Sequence, residues 1–296
     1  MVDEEISLVF KADRYYVDVK YSFYNYDDDT TLTVGFPQWY LGPYAGSEAN
    51  LDHFTFYLFD KQIPYKVIKS DKASDTKNEG YSVQFKKWYY TQIIFPKEQV
   101  VVLRNTYDCE YGSSGPYHFL EYLYGTGNNW YNSINSVRVK LDFQYSYWVT
   151  GFGLAASDEK RPYSYEQLSK TQYLLVMRNV KPQDNDTIWF TLLAPDDSPF
   201  AMGMANPFID NKGNDFILKD DELDDYYLMF LTTDQLKIFK YFLTVAIDKN
   251  KKINTEYSSY FRGIENYRNS WNIEKLKSLN KNIAKVDLYL RKKAIF

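Results

Sequence analysis

The sequence predicts a mainly β N-terminal domain, an antiparallel β-sandwich over residues 3–200. A small α-helical C-terminal region follows at 223–296, and a linker at 201–222 joins the two. Three observations carry that expectation. Residues 15–25 and 137–143 alternate apolar and polar side chains without a fault, the period of a strand with one buried face. Short strand-like runs continue to Leu193 with polar turns and no helical crossover between them, which suits a sandwich. From Leu223 the apolar spacing becomes helical.

Ile6, Leu8 and Phe10 give a first short strand, and Ala12-Asp13-Arg14 connects it to the next. In that second strand Val17, Val19, Tyr21 and Phe23 share one face, and Asp18, Lys20 and Ser22 share the other. Asp27-Asp28-Asp29 makes a polar turn. Leu32 and Val34 then lead to Gly35 and Pro37, read as the residues that stop the strand and turn the chain. Phe54, Phe56 and Leu58 alternate, Asp60-Lys61 turns, and residues 63–68 return. Residues 69–80 are rich in Lys, Asp, Ser, Asn and Gly and read as an exposed loop. Further strands are expected at 81–85, 91–95, 100–107, 137–143, 173–177 and 188–193.

The linker is rich in Pro, Gly, Asp and Asn. Beyond it, Thr232 and Gln235 form a capping box ahead of Leu236, Phe239, Leu243 and Ile247. Tyr257, Tyr260, Phe261 and Ile264 make a second helical stripe. Leu276, Leu279, Ile283, Val286 and Leu290 make a third, with Asn272 as its expected cap. Each stripe is one face wide, so the helices can bury themselves on each other or on the sheet.

The totals narrow the function classes. A net charge of −4 repels phosphate backbones, so nucleic acid is not the expected partner. No run of 18 apolar residues is present, so no membrane span is expected in this chain. Cys109 is the one cysteine, which excludes an internal disulfide. Histidine occurs only as His53 and His118, not at helical metal spacing, and HExxH, CxxC and GxSxG are all absent. No metal, cofactor or catalytic residue is therefore assigned. A Cys109–histidine dyad and a pair of glycosidase carboxylates stay open, because spacing in the chain does not reveal spacing in the fold. The segment Asp210-Asn211-Lys212-Gly213-Asn214-Asp215 approaches a calcium loop but places Lys212 where an oxygen ligand is needed.

Aromatic residues make up 19% of the chain; strand propensity accounts for most of them, which fall inside alternating strand patterns, and a surface that stacks on flat ligands is the other reading. Three clusters are the candidate ligand contacts: Trp39-Tyr40 with Tyr44, Trp88 with its two following tyrosines, and Trp130-Tyr131. Exposed rings at a sandwich end stack on glycans or peptides; the other reading is that they plug the open ends of the core.

Several ordered landmarks resemble a family of bacterial extracytoplasmic β-sandwich proteins of unknown function. They are residues 5–10, 16–25 and 34–37, then the run 122–130 through Tyr122, Gly125, Gly127 and Trp130, then 178–182. The tail, at 231–239, Tyr260-Phe261 and Leu279-Asn280, resembles a diverged YARHG-type helical module, although the defining Tyr-Ala-Arg-His-Gly stretch is replaced by residues 243–248. The resemblance implies a fold and an extracytoplasmic location (periplasmic, surface or secreted) after removal of a signal peptide. It does not imply a mechanism. The expectation is a non-catalytic binding or structural module whose partner is a cell-envelope protein or a glycan. The alternative is a glycan-binding protein or carbohydrate-active hydrolase.

Overall fold

The computed structural model describes residues 1–41, 51–69, 76–78, 81–114, 117–124, 133–154, 163–183, 186–194, 209–212, 215–218, 225–257 and 265–295. In chain order the first strands are β1 (Asp3–Phe10), β2 (Arg14–Tyr24), β3 (Thr30–Leu41), β4 (Leu51–Leu58), β5 (Lys61–Ile63) and β6 (Lys66–Lys69). Next come β7 (Thr76–Asn78), β8 (Tyr81–Phe95), β9 (Val100–Glu110), β10 (Gly112–Ser114), β11 (Tyr117–Leu123) and β12 (Ile134–Phe143). Then follow β13 (Trp148–Gly153), β14 (Ser164–Gln167), β15 (Gln172–Val180), β16 (Thr187–Leu193), β17 (Ile209–Lys212) and β18 (Asp215–Leu218). Three helices end the chain: α1 (Asp225–Met229), α2 (Thr233–Tyr257) and α3 (Glu265–Lys293).

The fold class is the predicted one, a β-rich domain with a small helical tail. Eight strands form one sheet in the order β14-β15-β12-β1-β2-β9-β4-β5. The chain also forms two four-stranded sheets, one of β3-β8-β6 with β7 paired to β8 as well, the other β10-β11-β16-β13. The alternation of the sequence explains the packing. Ile6, Leu8 and Phe10 of β1, Val17 and Val19 of β2, Val137, Val139 and Leu141 of β12, and Leu175 of β15 all lie on the inner face and are buried. Phe23, Val101 and Leu103 pack against Ile93 and Phe95 of the β3-β8-β6 sheet. Phe10 and Phe143 meet Phe190 of β16 edge-on, at ring separations of 5.0 and 6.1 Å.

Several expectations need correction. β1 pairs with β12 in parallel, so the large sheet is not wholly antiparallel as expected. The runs at 81–85 and 91–95 are one continuous strand, β8. Gly35 and Pro37 do not end β3, which runs on to Leu41 with a register shift between Gln38 and Trp39. β3 is an edge strand, so the missing N–H of Pro37 breaks no ladder on its open side. Gly35 serves packing instead: a Cβ there would lie 3.2 Å from Cε3 of Trp88. Within the segment read as a loop, β7 pairs with β8. Within the segment read as a linker, β17 and β18 form a hairpin. Gly125, Gly127 and Trp130 of the landmark run lie outside the described residues.

The chain divides into two compact units. The first holds residues 1–145 and 152–191. The second holds 146–151 and everything from Leu192 onward. In the second unit the capping box forms as read: the Thr232 amide donates to Gln235 Oε1 at 2.8 Å and the Gln235 amide to Thr232 Oγ1 at 3.2 Å. Gln235 Nε2 also donates to the carbonyls of Ser146 and Tyr147, at 3.0 and 3.1 Å. Leu236, Phe239, Leu243 and Ile247 are buried. Asn272 lies inside α3, which begins at Glu265, and not ahead of it. The buried stripe of α3 is Leu279, Asn282, Val286, Tyr289 and Lys293, one position off the expected line. Lys293 is accepted there because its Nζ donates to the Met229 carbonyl at 3.1 Å, and burial pulls its pKa down to about 8.

Candidate functional site

A recess in the first unit opens at the end of the strands where β1 and β12 begin and β2 ends. It is a cleft of about 880 Å³ lined by Met1, Val2, residues 23–27, Thr30, Leu32, Phe95, Ser133 and Asn135. One residue builds most of its wall. Asn25 Nδ2 donates to the carbonyls of Asp28 and Phe95 at 2.9 and 2.8 Å, and Asn25 Oδ1 accepts from the Asp27 amide at 3.1 Å. The Glu98 amide donates to the Asn25 carbonyl at 2.8 Å, from a left-handed residue with φ 55°. The Lys97 amide donates to Asp29 Oδ1 at 2.8 Å. The acidic turn read from the sequence is thus fastened to the turn between β8 and β9. Asn side chains suit such local bonding to backbone groups.

With the wall fixed, the lining splits into two kinds of surface. Phe23 and Phe95 form its floor, both buried, with rings 5.7 Å apart edge to face. Tyr24 and Tyr26 form a second edge-to-face pair at 4.7 Å, and Tyr26 stays 65% exposed. The polar groups are uncommitted. Among the described residues, the hydroxyls of Tyr24, Tyr26, Thr30 and Ser133, the Asn135 amide and the Asp27 carboxylate make no side-chain hydrogen bond. The Met1 α-amino group is half-buried, which lowers its pKa.

A shallower depression of about 420 Å³ lies on the outer face of the large sheet, lined by Asp3, Glu5, Lys20, Ser22, Ser136, Arg138, Val176 and Arg178. Strand register alone sets this array, with Asp3 opposite Ser136 and Ser22, and Glu5 opposite Arg138 and Lys20. Complementary charges across strands are the ordinary way to solvate such a face.

The core holds a carboxylic acid, a residue type rarely buried whole. Glu4 is fully buried on the inner face of β1. Tyr122 Oη donates to Glu4 Oε1 at 3.0 Å, and the Tyr21 and Tyr122 hydroxyls are 3.1 Å apart. Glu4 Oε2 has no hydrogen-bond partner, nor does Oδ1 of buried Asn105. Burial pushes the Glu4 carboxyl up to about 8, outweighing the Tyr122 hydrogen bond, so it is a neutral acid at pH 7.

The aromatic candidates fare unequally. Trp88 lies mid-strand in β8, half-buried, beside Gly35 and opposite Pro37, while its neighbour Tyr89 is buried. Trp39 and Tyr40 belong to β3 rather than to a loop, paired with Phe85 and Gln84. Tyr44, Trp130 and Tyr131 lie outside the described residues. Tyr24 and Tyr26 were missed. The available signal was an aromatic pair of outward parity at a strand end, next to an Asn-Asp turn.

The chemistry of the remaining candidates is unfavourable to a nucleophile. Cys109 is buried and burial raises its thiol pKa to about 11, which keeps it protonated. His53 Nδ1 sits 2.8 Å from Asp108 Oδ2 on the exposed edge, at a register irregularity of β4. His118 packs beside Tyr111, ring centres 5.7 Å apart. Among the described residues, no group of three or more His, Cys, Asp and Glu is placed to hold a metal ion. Among them, also, no helix is long and apolar enough to cross a membrane.

No family model and no curated protein matches the chain. Solved structures are similar to it, two of them as follows. A protein of Legionella pneumophila subsp. pneumophila, described as a putative nutrient binding protein, shares 15% identity over 94% of this chain and 93% of its own, with a TM-score of 0.52. A protein of Parabacteroides distasonis, described as a putative protease, shares 10% identity over 97% of this chain and 58% of its own, with a TM-score of 0.33. The first likeness is one of fold. The second superposes too loosely to bear on anything.

Proposed function

We propose that this chain is a non-catalytic binding module working outside the cytoplasm, in the cell envelope or secreted, and that its ligand seat is the cleft between Tyr26 and Asn135. The observation that carries this reading is the set of uncommitted polar side chains around an exposed ring, inside a recess of about 880 Å³. Ligand sites of this size present a few convergent polar groups beside apolar and aromatic lining. Asp27 is the one carboxylate in that lining, whereas glycoside hydrolysis needs two facing carboxyls. The name of the Legionella protein of like fold points the same way. The compartment rests on the resemblance of the ordered landmarks to an extracytoplasmic family.

The test is amide shift mapping by NMR on the isotopically labelled chain, with a mixed small-molecule extract of growth medium added. Shifts confined to residues 24–27, 30–32 and 133–135 are expected. Perturbations elsewhere, with these residues unmoved, would overturn the assignment of the seat. Fractionation of cells expressing the natural gene tests the compartment, and protein found only in the cytosol would refute it.

A further inference from the structure

We infer that the cleft takes a neutral saccharide, an inference that rests on the cleft being the ligand seat. Charge excludes the other common classes. Among the described residues the lining carries one acidic side chain, Asp27, and no lysine, arginine or histidine. An anionic ligand meets Asp27 without a guanidinium or ammonium side chain to offset it. A cationic one finds only Asp27, exposed and screened by water, as its counter-charge. Either would be desolvated against an incomplete counter-charge, which costs more than the contact returns.

The neutral groups then decide the class. Four uncommitted hydroxyls, of Tyr24, Tyr26, Thr30 and Ser133, and the Asn135 amide all both donate and accept hydrogen bonds. Vicinal sugar hydroxyls also donate and accept, and adjacent pairs are matched by groups of this kind. A purely apolar ligand would leave these five side chains unpaired. Tyr26, 65% exposed and held edge-to-face by Tyr24, offers the flat surface on which the C–H face of a pyranose packs. Asn25 is spent on fixing the turns, so the ring and the polar set are held in place before a ligand arrives.

Saturation-transfer NMR and titration calorimetry on the full chain test this, with glucose, maltose and cellobiose as neutral probes. Glycine betaine, acetate and an alanyl dipeptide are the charged ones. At least one saccharide is expected to bind, with Tyr26→Ala weakening it about tenfold, the worth of one aromatic stacking contact. Asn135→Ala should weaken it several-fold, and far-ultraviolet circular dichroism should be unchanged for both variants. If a charged probe binds and loses affinity in Tyr26→Ala while no saccharide binds, the saccharide inference is wrong and the seat stands. If no probe binds, or the one that binds does so equally well in both variants, the inference and the seat fall together.

Discussion

Glu4 gives the most quantitative handle on the fold. Its carboxyl has an ordinary value of 4.5 and is raised to about 8 by complete burial. A raised acid in the folded state means that the unfolded chain releases its proton first as pH climbs. Below pH 4.5 both states hold the proton and Glu4 has no pH-dependent effect. Between 4.5 and about 8 the folded state binds more protons, so stability falls steadily. Above about 8 both states are ionised and the loss is complete. At about 1.4 kcal/mol per pH unit, the whole loss comes to about 5 kcal/mol, a ceiling to be compared with the 5–15 kcal/mol that holds a typical domain. Glu4→Gln removes the titration and keeps an oxygen to accept from Tyr122. Urea unfolding should therefore show the variant gaining on the wild type as pH rises from about 5 to about 8. The gain in midpoint should approach about 2 M for an m-value of about 2 kcal/mol/M. Two unfolding curves that shift in parallel across that range would refute the burial of an uncompensated carboxyl at this position.

Other perturbations follow from single contacts. A Cβ at Gly153 would lie 2.3 Å from Nε1 of Trp189, so Gly153→Ala should cost about 1–3 kcal/mol in urea unfolding, and a co-substitution Trp189→Leu should recover part of it. Gln235→Ala removes half of the capping box and leaves the Ser146 and Tyr147 carbonyls without their donor, so the second unit should lose about 1–3 kcal/mol, visible as an earlier thermal transition. Cys109, buried with its thiol raised to about 11, should resist Ellman's reagent at pH 8 until denaturant is added. Arg104 binds Asp18 through two hydrogen bonds of 2.7 and 2.6 Å, but both groups are partly solvated, so Asp18→Asn should cost no more than about 1 kcal/mol.

The strands that the sequence made legible are those with one wet face. β2 and β12 alternate because their outer sides meet water. β13, Trp148–Gly153, was invisible because five consecutive residues are buried, which erases the period of two. β14 is short and polar at a sheet edge, so it carries no apolar signal at all. Pairing was less legible than strand existence. Nothing in residues 3–10 indicates a parallel neighbour more than a hundred residues away. Pro37 misled for a related reason, since its effect depends on whether β3 has a partner on both sides.

The candidate site was hidden by a different ambiguity. A tyrosine looks the same in the sequence whether its hydroxyl is spent on the fold or open to a ligand. Tyr122 and Tyr26 illustrate the two fates: one hydroxyl donates to a buried carboxyl oxygen, the other makes no hydrogen bond among the described residues. Parity separates them in part. Carrying the alternation of Ile6, Leu8 and Phe10 back by two residues places Glu4 in the core, and carrying that of Val17 to Phe23 forward places Tyr24 outside it. Parity does not reveal commitment, because the partners come from strands a hundred residues distant. The aromatic excess of this chain is therefore mostly core, and its functional remainder is defined by which rings and hydroxyls the fold leaves unused.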